Sequence, residues 1–410
     1  MKVLSIILTT LFLLSFLYRI VYIAVRVFAT KKEHTADSGN RFAVMIAARN
    51  ERSVIGQLID SIKAQDYPSE LIDIFVVADN CTDDTAAIAA AHGAKVYERF
   101  DTEHVSKGFA LEFLYDKIRT EHADTAYDGY FVFDADNLLD KHYISAMNTV
   151  FSDDSEIAVG YRTAKNFSDN WISAAYGFYF LYESEFANRP RSILGTSCFL
   201  SGTGCLFSQG FLDSHNGWHW TGLTEDLECT SDILCEGRRV SYCSEAVLYD
   251  EQPTEFGVSI RQRTRWVRGY LQAIAERFGT LAGCLFKKGG FAVFDFLMNF
   301  APLVLFILNA VADIANMVIM LCSGAGIVAV LLHIITALGS IYAGLLTMSL
   351  FALIFEWKRI RCPAHKKIFY SLLFPVFMYS YLIVYINIFS KQRGWEQMQH
   401  KSKVDISDMK

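Results

Sequence analysis

Carboxylates stand along this chain at positions where they could bind a metal ion. Asp134 and Asp136 are separated by a single residue. Two carboxylates at that spacing in a loop can share a hard divalent cation with the oxygens of a diphosphate, and the cation offsets charge that builds on a leaving nucleotide. A solvated turn is the alternative, since Asp is common after strands. The pair follows an apolar strand, the fourth of an alternating strand–helix series, and this favours the metal site.

A second acidic motif, Asp79-Asn80-Cys81-Thr82-Asp83, lies in a turn that precedes a predicted helix. Thr82 or Asp83 could cap that helix by accepting its free N–H groups. Asp79 could accept a hydrogen bond from the N–H of a base, and both roles can coexist. Lys107 starts another predicted helix, where the helix dipole disfavours a cation. That cost favours a phosphate or a base as its partner.

Thr224-Glu225-Asp226 opens a predicted helix that ends near Gly237. In isolation the motif is typical of a helix N-cap with acids in the first turn. Alternatively, Asp226 is a general base that takes the proton of an acceptor hydroxyl. The other acidic motifs of the chain favour the second interpretation.

The motif Gln262-Arg263-Thr264-Arg265-Trp266 lies in a predicted amphipathic helix from Gly257 to Phe278. Its apolar side is formed by Ile260, Val267, Leu271 and Ile274, and its cations are Arg261, Arg263, Arg265 and Arg268. Such a helix is typical of a membrane interface, with the basic residues near lipid headgroups. In addition, Trp266 could stack on a sugar ring, and the guanidinium fork of Arg265 suits a diphosphate.

Three further features carry less weight. Ser201-Gly202-Thr203-Gly204 lacks the third glycine of a dinucleotide-binding fingerprint, although Gly202 could line a pocket by close backbone approach. His215 and His219 have the helical spacing of metal ligands, but no third ligand at suitable spacing is evident, so structural roles are expected. Asp313 stands in an apolar segment, where it is either functional or the end of a shorter span.

Short apolar runs alternate with helical segments through the middle of the chain. The predicted strands are residues 42–48, 72–78, 95–99 and 130–133. This alternation predicts an α/β fold with a mainly parallel sheet and helices on both faces. Because ligands of such sheets bind beyond the carboxyl ends of the strands, Asp79 and Asp134 are expected in one site.

Composition separates the middle of the chain from its ends. Of 410 residues 52% are hydrophobic, and the excess lies at the N-terminus and after about residue 290. The net charge of −6 provides no basic field for nucleic acid. The nine cysteines include no C-x-x-C pair, so the globular part is expected to be reduced and cytosolic.

Four apolar blocks are long enough to cross a bilayer. The first, Val3 to Val25, is expected to be a retained anchor rather than a cleaved signal peptide, because basic residues and no small-residue cleavage site follow it. The basic cluster places the following residues on the cytoplasmic side. The later blocks cover about 291–321, 325–355 and 368–390. Basic residues flank all of them, and the positive-inside rule would therefore place both ends of the last block on the cytoplasmic side. Either this block is interfacial or re-entrant, or the rule fails at the tail.

In their order these motifs resemble those of the family-2 glycosyltransferases, in particular the membrane-embedded polysaccharide synthases such as cellulose synthase, hyaluronan synthase and poly-N-acetylglucosamine synthase. The run Val76 to Thr85 is similar to that of bacterial exopolysaccharide synthases of the methanolan type. The resemblance covers about residues 40–270, and extends to the membrane part only in layout. The full order of motifs is specific, whereas any single motif is not.

The resemblance implies a GT-A fold and a set of roles. It implies a nucleotide pocket formed by Ala47, Arg49, Glu51, Asp79, Lys107 and Asp134. Asp134 and Asp136 would hold Mg²⁺ or Mn²⁺, and Asp226 would be the catalytic base. The acceptor side and the mouth of the site would be formed by Gly202, Glu225, Gln262, Arg265 and Trp266.

The implied organisation is an anchor at 1–29, a GT-A domain at 40–255, an interfacial helix at 256–280, a membrane region at 288–390 and a polar tail at 391–410. The implied reaction is an inverting transfer from a UDP-sugar, UDP-glucose or UDP-N-acetylglucosamine, to a β-linked polysaccharide that leaves through a pore beside Trp266. The protein would lie in the plasma membrane with a cytoplasmic catalytic domain, as a homo-oligomer or with an accessory export subunit.

Two departures from the family pattern bear on this. Ser106 replaces the glycine that many relatives have before the lysine, and the membrane part is small beside that of cellulose synthase. Transfer of a single sugar to a lipid-linked or oligosaccharide acceptor is therefore the alternative enzyme function. A non-catalytic membrane scaffold on a transferase fold is the alternative of another class, but such a protein would be expected to lose some of these acids.

Overall fold

The computed structural model describes residues 2–29, 39–152, 155–287, 289–324 and 326–390. The predicted polar tail, with Arg393-Gly394-Trp395, lies outside these residues, as do the basic residues Lys31, Lys32 and Lys288.

A single eight-stranded sheet forms the centre of the protein, in the order β3-β2-β1-β4-β7-β6-β8-β5. Its strands are β1 (Phe42–Ala48), β2 (Ile72–Asp79), β3 (Lys95–Arg99), β4 (Gly129–Asp134), β5 (Leu138–Leu139), β6 (Ile157–Ala164), β7 (Cys205–Ser208) and β8 (Ser241–Asp250). β1 to β4 pair in parallel, as the alternating pattern predicts, whereas β7 pairs antiparallel with both β4 and β6. β6 also pairs in parallel with β8, and β5 pairs antiparallel with β8. The prediction of a mainly parallel α/β sheet is confirmed.

The helices before β7 are α1 (Lys2–Leu17), α2 (Arg19–Phe28), α3 (Ile55–Lys63), α4 (Thr85–Ala91), α5 (Lys107–Glu121), α6 (Tyr143–Ser152), α7 (Trp171–Tyr182) and α8 (Arg189–Leu194). Those after β7 are α9 (Gln209–Ser214), α10 (Glu225–Cys235), α11 (Phe256–Cys284), α12 (Gly290–Leu297), α13 (Ala301–Cys322), α14 (Ile327–Phe355), α15 (Ala364–Tyr379) and α16 (Tyr381–Asn387). A short 3₁₀ turn covers Ser69–Leu71, and a π-helical segment, Glu183–Asn188, joins α7 to α8.

Apolar side chains on both faces of the sheet explain its central position. One cluster contains Phe42, Ile46 and Phe133 and packs against α3 and α6, while the other contains Met45 and Val77 and packs against α5 and α7. Sheets that are buried on both faces need strands of nearly continuous apolar residues, and the burial of β1 fits this: only Ala47 keeps noticeable exposure.

Asparagines end the first two strands. Asn50 and Asn80 have φ of 57° and 50°, in the left-handed region that Asn tolerates better than most residues. The two turns are joined, since the backbone N–H of Thr82 donates to Asn50 Oδ1 at 2.7 Å. Both turns therefore form one rigid rim beyond the carboxyl ends of β1 and β2.

Four helices among the described residues are long and apolar enough to cross a membrane: Val3–Phe28, Val304–Cys322, Ile327–Phe355 and Ala364–Asn387. α1 packs along α13, and α14 packs along α15. The N-terminal segment is divided at Tyr18 into α1 and α2, and Arg19 donates there to Asn299 Oδ1 at 2.9 Å.

The last apolar block differs from the other three. In its most apolar stretch 39% of the residues are buried inside the protein, against 11% or less elsewhere. It breaks at Ser380 between α15 and α16, and α16 packs along α11. The last apolar block is therefore attached to the helix that carries Gln262–Trp266.

Buried ion pairs attach two of these apolar helices to the domain. Arg26 Nε lies 2.8 Å from Glu185 Oε2, and its Nη2 lies 3.0 Å from Glu356 Oε1. Tyr161 of β6 also donates to Glu356, at 3.0 Å. The C-terminal ends of α2 and α14 therefore lie against the domain that contains the sheet.

Candidate active site

The register of the parallel strands gathers the first site residues. Ala47 of β1 is paired with Asp134 of β4, and Ala48 with Ala78, the residue before Asp79. The carboxyl ends of these strands therefore place Ala47, Asp79 and Asp134 along one edge of the sheet. The sequence-based expectation that Asp79 and Asp134 fall at a common edge is met.

Asp79 is already paired with a cation. It is 5% exposed, and Oδ1 accepts from Arg99 Nη1 at 2.6 Å. Arg99 ends β3 and is opposite Asp79 in the ladder. The sequence analysis missed Arg99, although its place at the end of the neighbouring strand was a usable signal. Because Arg99 binds Oδ1 of Asp79, the other carboxylate oxygen is the one that could accept a hydrogen bond from a base.

The turn residues beside the sheet edge form a shielded acidic corner. Burial, together with the nearby charges of Asp134 and Glu251, raises the pKa of Glu51 to about 9. The Glu51 N–H donates to Thr85 Oγ1 at 2.8 Å, which ties this turn to the start of α4. Arg49 lies half-buried in the same turn.

Lys107 joins the separate motifs. Its ammonium group donates to the Asp134 carboxylate and to the Gly202 carbonyl, and it lies 3.6 Å from Glu225 Oε1. Burial lowers the pKa of Lys107, but Asp134 and Glu225 outweigh it and hold the pKa above its usual value. One cation thus holds together β4, the 201–204 loop and the N-terminus of α10.

The residue before Lys107 explains its placement. Ser106 caps α5 by accepting from Phe109 N–H at 3.2 Å, and its hydroxyl donates to Thr221 O at 2.8 Å. A Cβ on Gly108 would lie 2.2 Å from Trp220 O, so the helix start lies directly against that loop. Ser106 in place of glycine therefore fits the site and adds a hydrogen bond.

Asp226 faces Gly202 across the site. A Cβ built on Gly202, whose φ is +82°, would lie 3.6 Å from Asp226 Oδ2. Burial and the neighbouring Glu225 raise the pKa of Asp226 to about 7. Thr224 occupies the N-cap position of α10, and Glu225 and Asp226 lie in the first turn, but the Thr224 side chain makes no capping hydrogen bond. A carboxylate whose pKa lies near neutrality is well matched to general-base chemistry.

Asp136 lies deeper than Asp134. It is 8% exposed, and Asn137 Nδ2 donates to its Oδ1 at 3.3 Å and to Asp250 Oδ1 at 3.0 Å. Burial raises the pKa of Asp136, and the charges of Asp250 and Asp134 add to this. The sequence analysis missed Asp250 and its partner Arg162, whose Nε donates to Asp250 at 2.9 Å; nothing in the local sequence pointed to either.

The residues present fit a hard divalent cation. Asp134 and Asp136 offer carboxylate oxygens, and a cation beside them would relieve the repulsion that raises the pKa of Asp136. Among the described residues no group of three or more His, Cys, Asp or Glu side chains could hold a metal by itself. Mg²⁺ usually keeps waters and takes further oxygens from substrate phosphates, so two protein ligands suffice when a diphosphate is bound.

The predicted interfacial helix is α11. Arg265 is exposed, and the Trp266 ring packs edge-on against Tyr176 at 5.9 Å between ring centres. The side-chain oxygen of Gln262 is buried and has no hydrogen-bond partner among the residues that the structure describes. These three residues thus retain groups that a ligand could use.

Arg263 corrects the expectation that all the basic residues of α11 lie near headgroups. It is fully buried, its Nη2 donates to Ser380 Oγ at 2.8 Å, and its guanidinium lies 4.0 Å from the centre of the Phe377 ring. Arg268 donates to the carbonyls of Asn387 and Ile388 at the end of α16, at 2.7 and 3.1 Å. Both arginines attach the last apolar block to α11.

Gly269, another residue that the sequence analysis missed, lets α11 approach the catalytic motif. A Cβ there would lie 2.3 Å from Thr224 Cγ2. No branched or larger side chain fits at this position without displacing α11 or the N-terminus of α10. Helical glycines usually have such a packing reason, which is the signal that was available.

The features given less weight in the sequence have structural partners. His215 Nε2 lies 2.8 Å from Glu236 Oε1, and its ring stacks with that of His219. Asp313 of α13 lies 3.9 Å from His333 of α14. All nine cysteines are free.

Residues 40–269 match the model of the glycosyltransferase-like family 2. The chain belongs to this family. The match covers the sheet, the Lys107 and Asp226 motifs and about half of α11, including Gln262–Trp266. These residues therefore form a family-2 glycosyltransferase domain with the GT-A fold. Family membership was the resemblance drawn from the sequence, and it is confirmed at this level.

Curated relatives are more distant. The chain is 27% identical over 235 residues to a beta-monoglucosyldiacylglycerol synthase of Synechocystis sp., which covers 56% of this chain and 47% of that protein. It is 24% identical over 281 residues to the probable glycosyltransferase YdaM of Bacillus subtilis, covering 68% and 66%. The chain thus spans about half to two thirds of the length of these relatives.

A solved structure has the same fold over almost the whole chain. The mannosyltransferase PcManGT from Pyrobaculum calidifontis, in complex with GDP-Man and Mn²⁺, matches with a TM-score of 0.59 at 15% identity. The match covers 95% of this chain and 99% of that one. At this identity the likeness shows the fold alone.

Proposed function

We propose that this protein transfers one sugar from a nucleoside-diphosphate donor to a hydroxyl group of a membrane lipid. The single observation that carries the proposal is the contact of Lys107 with both Asp134 and Glu225. That contact brings the diphosphate-binding end of the sheet and the Asp226 helix into one site. The site adjoins α11, and α11 packs on the last apolar block.

The donor half uses the edge of the sheet. Asp79, supported by Arg99, would accept from the base, and the backbone around Ala47 would border the nucleotide. The carboxylates of Asp134 and Glu225 position the Lys107 ammonium group, which would bind a phosphate of the donor. Asp134 and Asp136 would hold Mg²⁺ or Mn²⁺, which supplies charge neutralisation for the departing diphosphate.

The acceptor half uses Asp226. Its carboxylate would take the proton of the acceptor hydroxyl while that oxygen bonds to the anomeric carbon and the nucleoside diphosphate departs. Attack from the face opposite the leaving group inverts the anomeric centre, so an α-linked donor gives a β-linked product. Gly202 has no side chain, and the position that a Cβ would occupy lies 3.6 Å from Asp226 Oδ2. The attacking hydroxyl could use this space.

The lipid acceptor is supported by the membrane helices and by the names of three relatives, each called a beta-monoglucosyldiacylglycerol synthase. Their identity to this chain is 23–27%, so the acceptor remains part of the proposal. UDP-glucose and UDP-N-acetylglucosamine are the donors expected from the sequence resemblance. The Arg26 and Glu356 pairs favour a multi-pass protein in which α2, α14 and the domain share the cytoplasmic side.

A processive polysaccharide synthase is the second candidate, and the Gln262, Arg265 and Trp266 set favours it. Trp266 is partly buried against Tyr176, and α1 packs mainly along α13 while α14 packs mainly along α15. This arrangement favours a short product over a chain that is threaded through one protein.

The test is transfer by the purified protein in vesicles that contain diacylglycerol, with Mn²⁺ and UDP-glucose, UDP-N-acetylglucosamine or GDP-mannose in turn. Mass spectrometry of the lipid fraction should show one added hexose. A ladder of longer products would replace the proposal with the processive alternative. Equal transfer by wild type and Asp226→Asn would contradict the catalytic role of Asp226, and an absence of transfer by the wild type with every donor would favour the scaffold alternative.

A further inference from the structure

Asn137 stands directly after Asp136 and is almost fully buried, with 1% of its surface exposed. Its side-chain amide can donate two hydrogen bonds through Nδ2 and accept two through Oδ1. Buried polar groups of this kind are normally paired. The partners of the amide therefore show what Asn137 holds in place.

The amide oxygen holds the backbone that carries the first acid of the pair. Asn137 Oδ1 accepts from the Asp134 backbone N–H at 3.1 Å and from the Thr203 hydroxyl. A backbone N–H can only donate, so the oxygen of the amide must face Asp134 and its nitrogen must face the other way. Thr203 Oγ1 also accepts from the same N–H, at 3.0 Å. The backbone of Asp134 is thus held by two side chains at once.

The amide nitrogen lies between two buried carboxylates. Asn137 Nδ2 donates to Asp136 Oδ1 at 3.3 Å and to Asp250 Oδ1 at 3.0 Å. Carboxylates that share a buried site repel each other when both are ionised, and an N–H donor directed at each of them offsets this repulsion. All four hydrogen-bonding positions of the Asn137 amide are therefore used at the acidic end of β4.

Asp250 is the fixed end of this network. Its Oδ2 accepts from Arg162 Nε at 2.9 Å and from Gln252 Nε2 at 2.7 Å. Arg162 thereby matches the charge of Asp250, which suits Asp250 to a role as an anchor. Because Arg162 lies on β6 and Asp250 ends β8, the hydrogen bonds to Asn137 connect Asp136 to two strands of the sheet.

The 201–204 loop connects the same amide to the acceptor side of the site. The Thr203 hydroxyl donates to Asn137, and the Gly202 carbonyl accepts from Lys107. Gly202 in turn lies opposite Asp226, with 3.6 Å between an added Cβ and Oδ2. A displacement of Asn137 would therefore be transmitted both to the acidic pair and to the loop that faces the base.

We propose that Asn137 is a positioning residue for the divalent cation. It orients the carboxylate of Asp136 through Nδ2 and the backbone of Asp134 through Oδ1, so that both acids meet the same ion. A hydrogen bond to one carboxylate oxygen fixes the plane of the group and hence the direction in which it can meet a cation. Groups that orient metal ligands in this way contribute about 10- to 100-fold to metal affinity. The inference rests on the metal site of the proposed function and is independent of the acceptor.

The experiment measures the binding of Mn²⁺ instead of sugar transfer. The purified full-length protein in detergent is titrated with Mn²⁺ in the presence of UDP or GDP, and the electron paramagnetic resonance signal of free Mn²⁺ reports how much is bound. Asn137→Leu approximately keeps the size of the side chain and removes its hydrogen bonds. The Kd for Mn²⁺ should rise about 10- to 100-fold, while the affinity for the nucleotide without metal should stay unchanged.

Asn148→Leu is the matched control. Asn148 of α6 is also buried, at 4% exposure, and accepts from Asn40 Nδ2 at 2.7 Å. Asn40 precedes β1, so this contact lies at the opposite edge of the sheet from Asn137. Asn148→Leu should lower the melting temperature to a similar extent and leave the Kd for Mn²⁺ unchanged.

A second variant makes the test independent of the folding of Asn137→Leu. Thr203→Val removes the hydroxyl that donates to Asn137 and keeps the shape of the side chain. Because one hydrogen bond contributes about 0.5–1.5 kcal/mol, the Kd for Mn²⁺ should rise about two- to tenfold. If Asn137→Leu does not fold, an unchanged Kd in Thr203→Val overturns the proposal.

The outcomes distinguish the role of Asn137 from the metal site itself. If the wild type leaves all Mn²⁺ free with both nucleotides, the metal site fails and the role of Asn137 fails with it. If the wild type binds Mn²⁺ and Asn137→Leu binds it as tightly as Asn148→Leu does, the role of Asn137 is refuted while the metal site stands. An equal loss of metal-free nucleotide binding in Asn137→Leu would indicate general damage to the site and would also refute the role.

Discussion

Gly269→Ala should impair catalysis through packing alone. The added Cβ would lie 2.3 Å from Thr224 Cγ2, whereas ordinary contacts begin at 3.4 Å. Either α11 or the N-terminus of α10 must therefore move by about 1 Å, which displaces Glu225 and Asp226. A misplacement of about 1 Å can cost about 100-fold in rate, and overpacking costs about 1–3 kcal/mol of stability. We expect kcat to fall between about 10- and 100-fold, with a small change in the donor KM.

The assay is steady-state sugar transfer by the purified variants in vesicles, with thermal unfolding as a check on folding. Gly279→Ala is the matched control, since the same substitution on the same helix meets nothing within 4 Å. Thr224→Ser removes the clashing methyl group, so the double variant Gly269→Ala with Thr224→Ser should recover most of the activity. Loss that is equal in Gly269→Ala and Gly279→Ala, or an absence of rescue, would refute the reasoning.

The remaining predictions concern the base, the metal site, a buried arginine and the membrane arrangement. Asp226 is a base only when ionised and its pKa is raised to about 7, so kcat should fall about tenfold per pH unit below 7; a rate that stays flat to pH 5 would contradict this. EDTA should abolish transfer, and added Mn²⁺ should restore it. Asp136→Asn should raise the Mn²⁺ concentration needed for half-maximal activity. Full activity in EDTA would exclude the metal site. Arg263→Leu should lower the free energy of unfolding by about 1–3 kcal/mol, because it leaves buried polar partners unpaired. The measurement is thermal unfolding in detergent, with the substitution of an exposed residue, Arg261→Leu, as the control. Equal melting temperatures of the two variants would refute the attachment. Because Arg268 holds the end of α16 to α11, an epitope placed after Ser390 should be digested from the same side of sealed vesicles as the catalytic domain; protection on that side would show that the last block crosses the membrane.

Local patterns in the sequence were sufficient for the first half of the sheet. β1, β2 and β4 lie where apolar runs predict them, since strands that are covered on both faces are nearly continuous in apolar residues. β3 also lies where it is predicted, at the edge of the sheet. The antiparallel β7 could not be predicted in the same way, because a strand of four residues carries too little periodicity. The break at Ser380 could not be predicted either, because α15 and α16 form one continuous apolar block in the sequence. At this break Ser380 accepts a hydrogen bond from Arg263, which is distant in the sequence.

The sequence by itself determined the family, the parallel strands and the order of the acidic motifs, because these depend on residue type and short-range spacing. Only the tertiary structure decided which partners those residues have. Arg99 holds Asp79, Lys107 joins Asp134 to Glu225, and Gly269 admits Thr224, although each pair is separated by 20 to 118 residues. Such contacts arise when the chain folds back on itself, and burial in the resulting cleft is what raises the pKa of Asp226 towards neutrality.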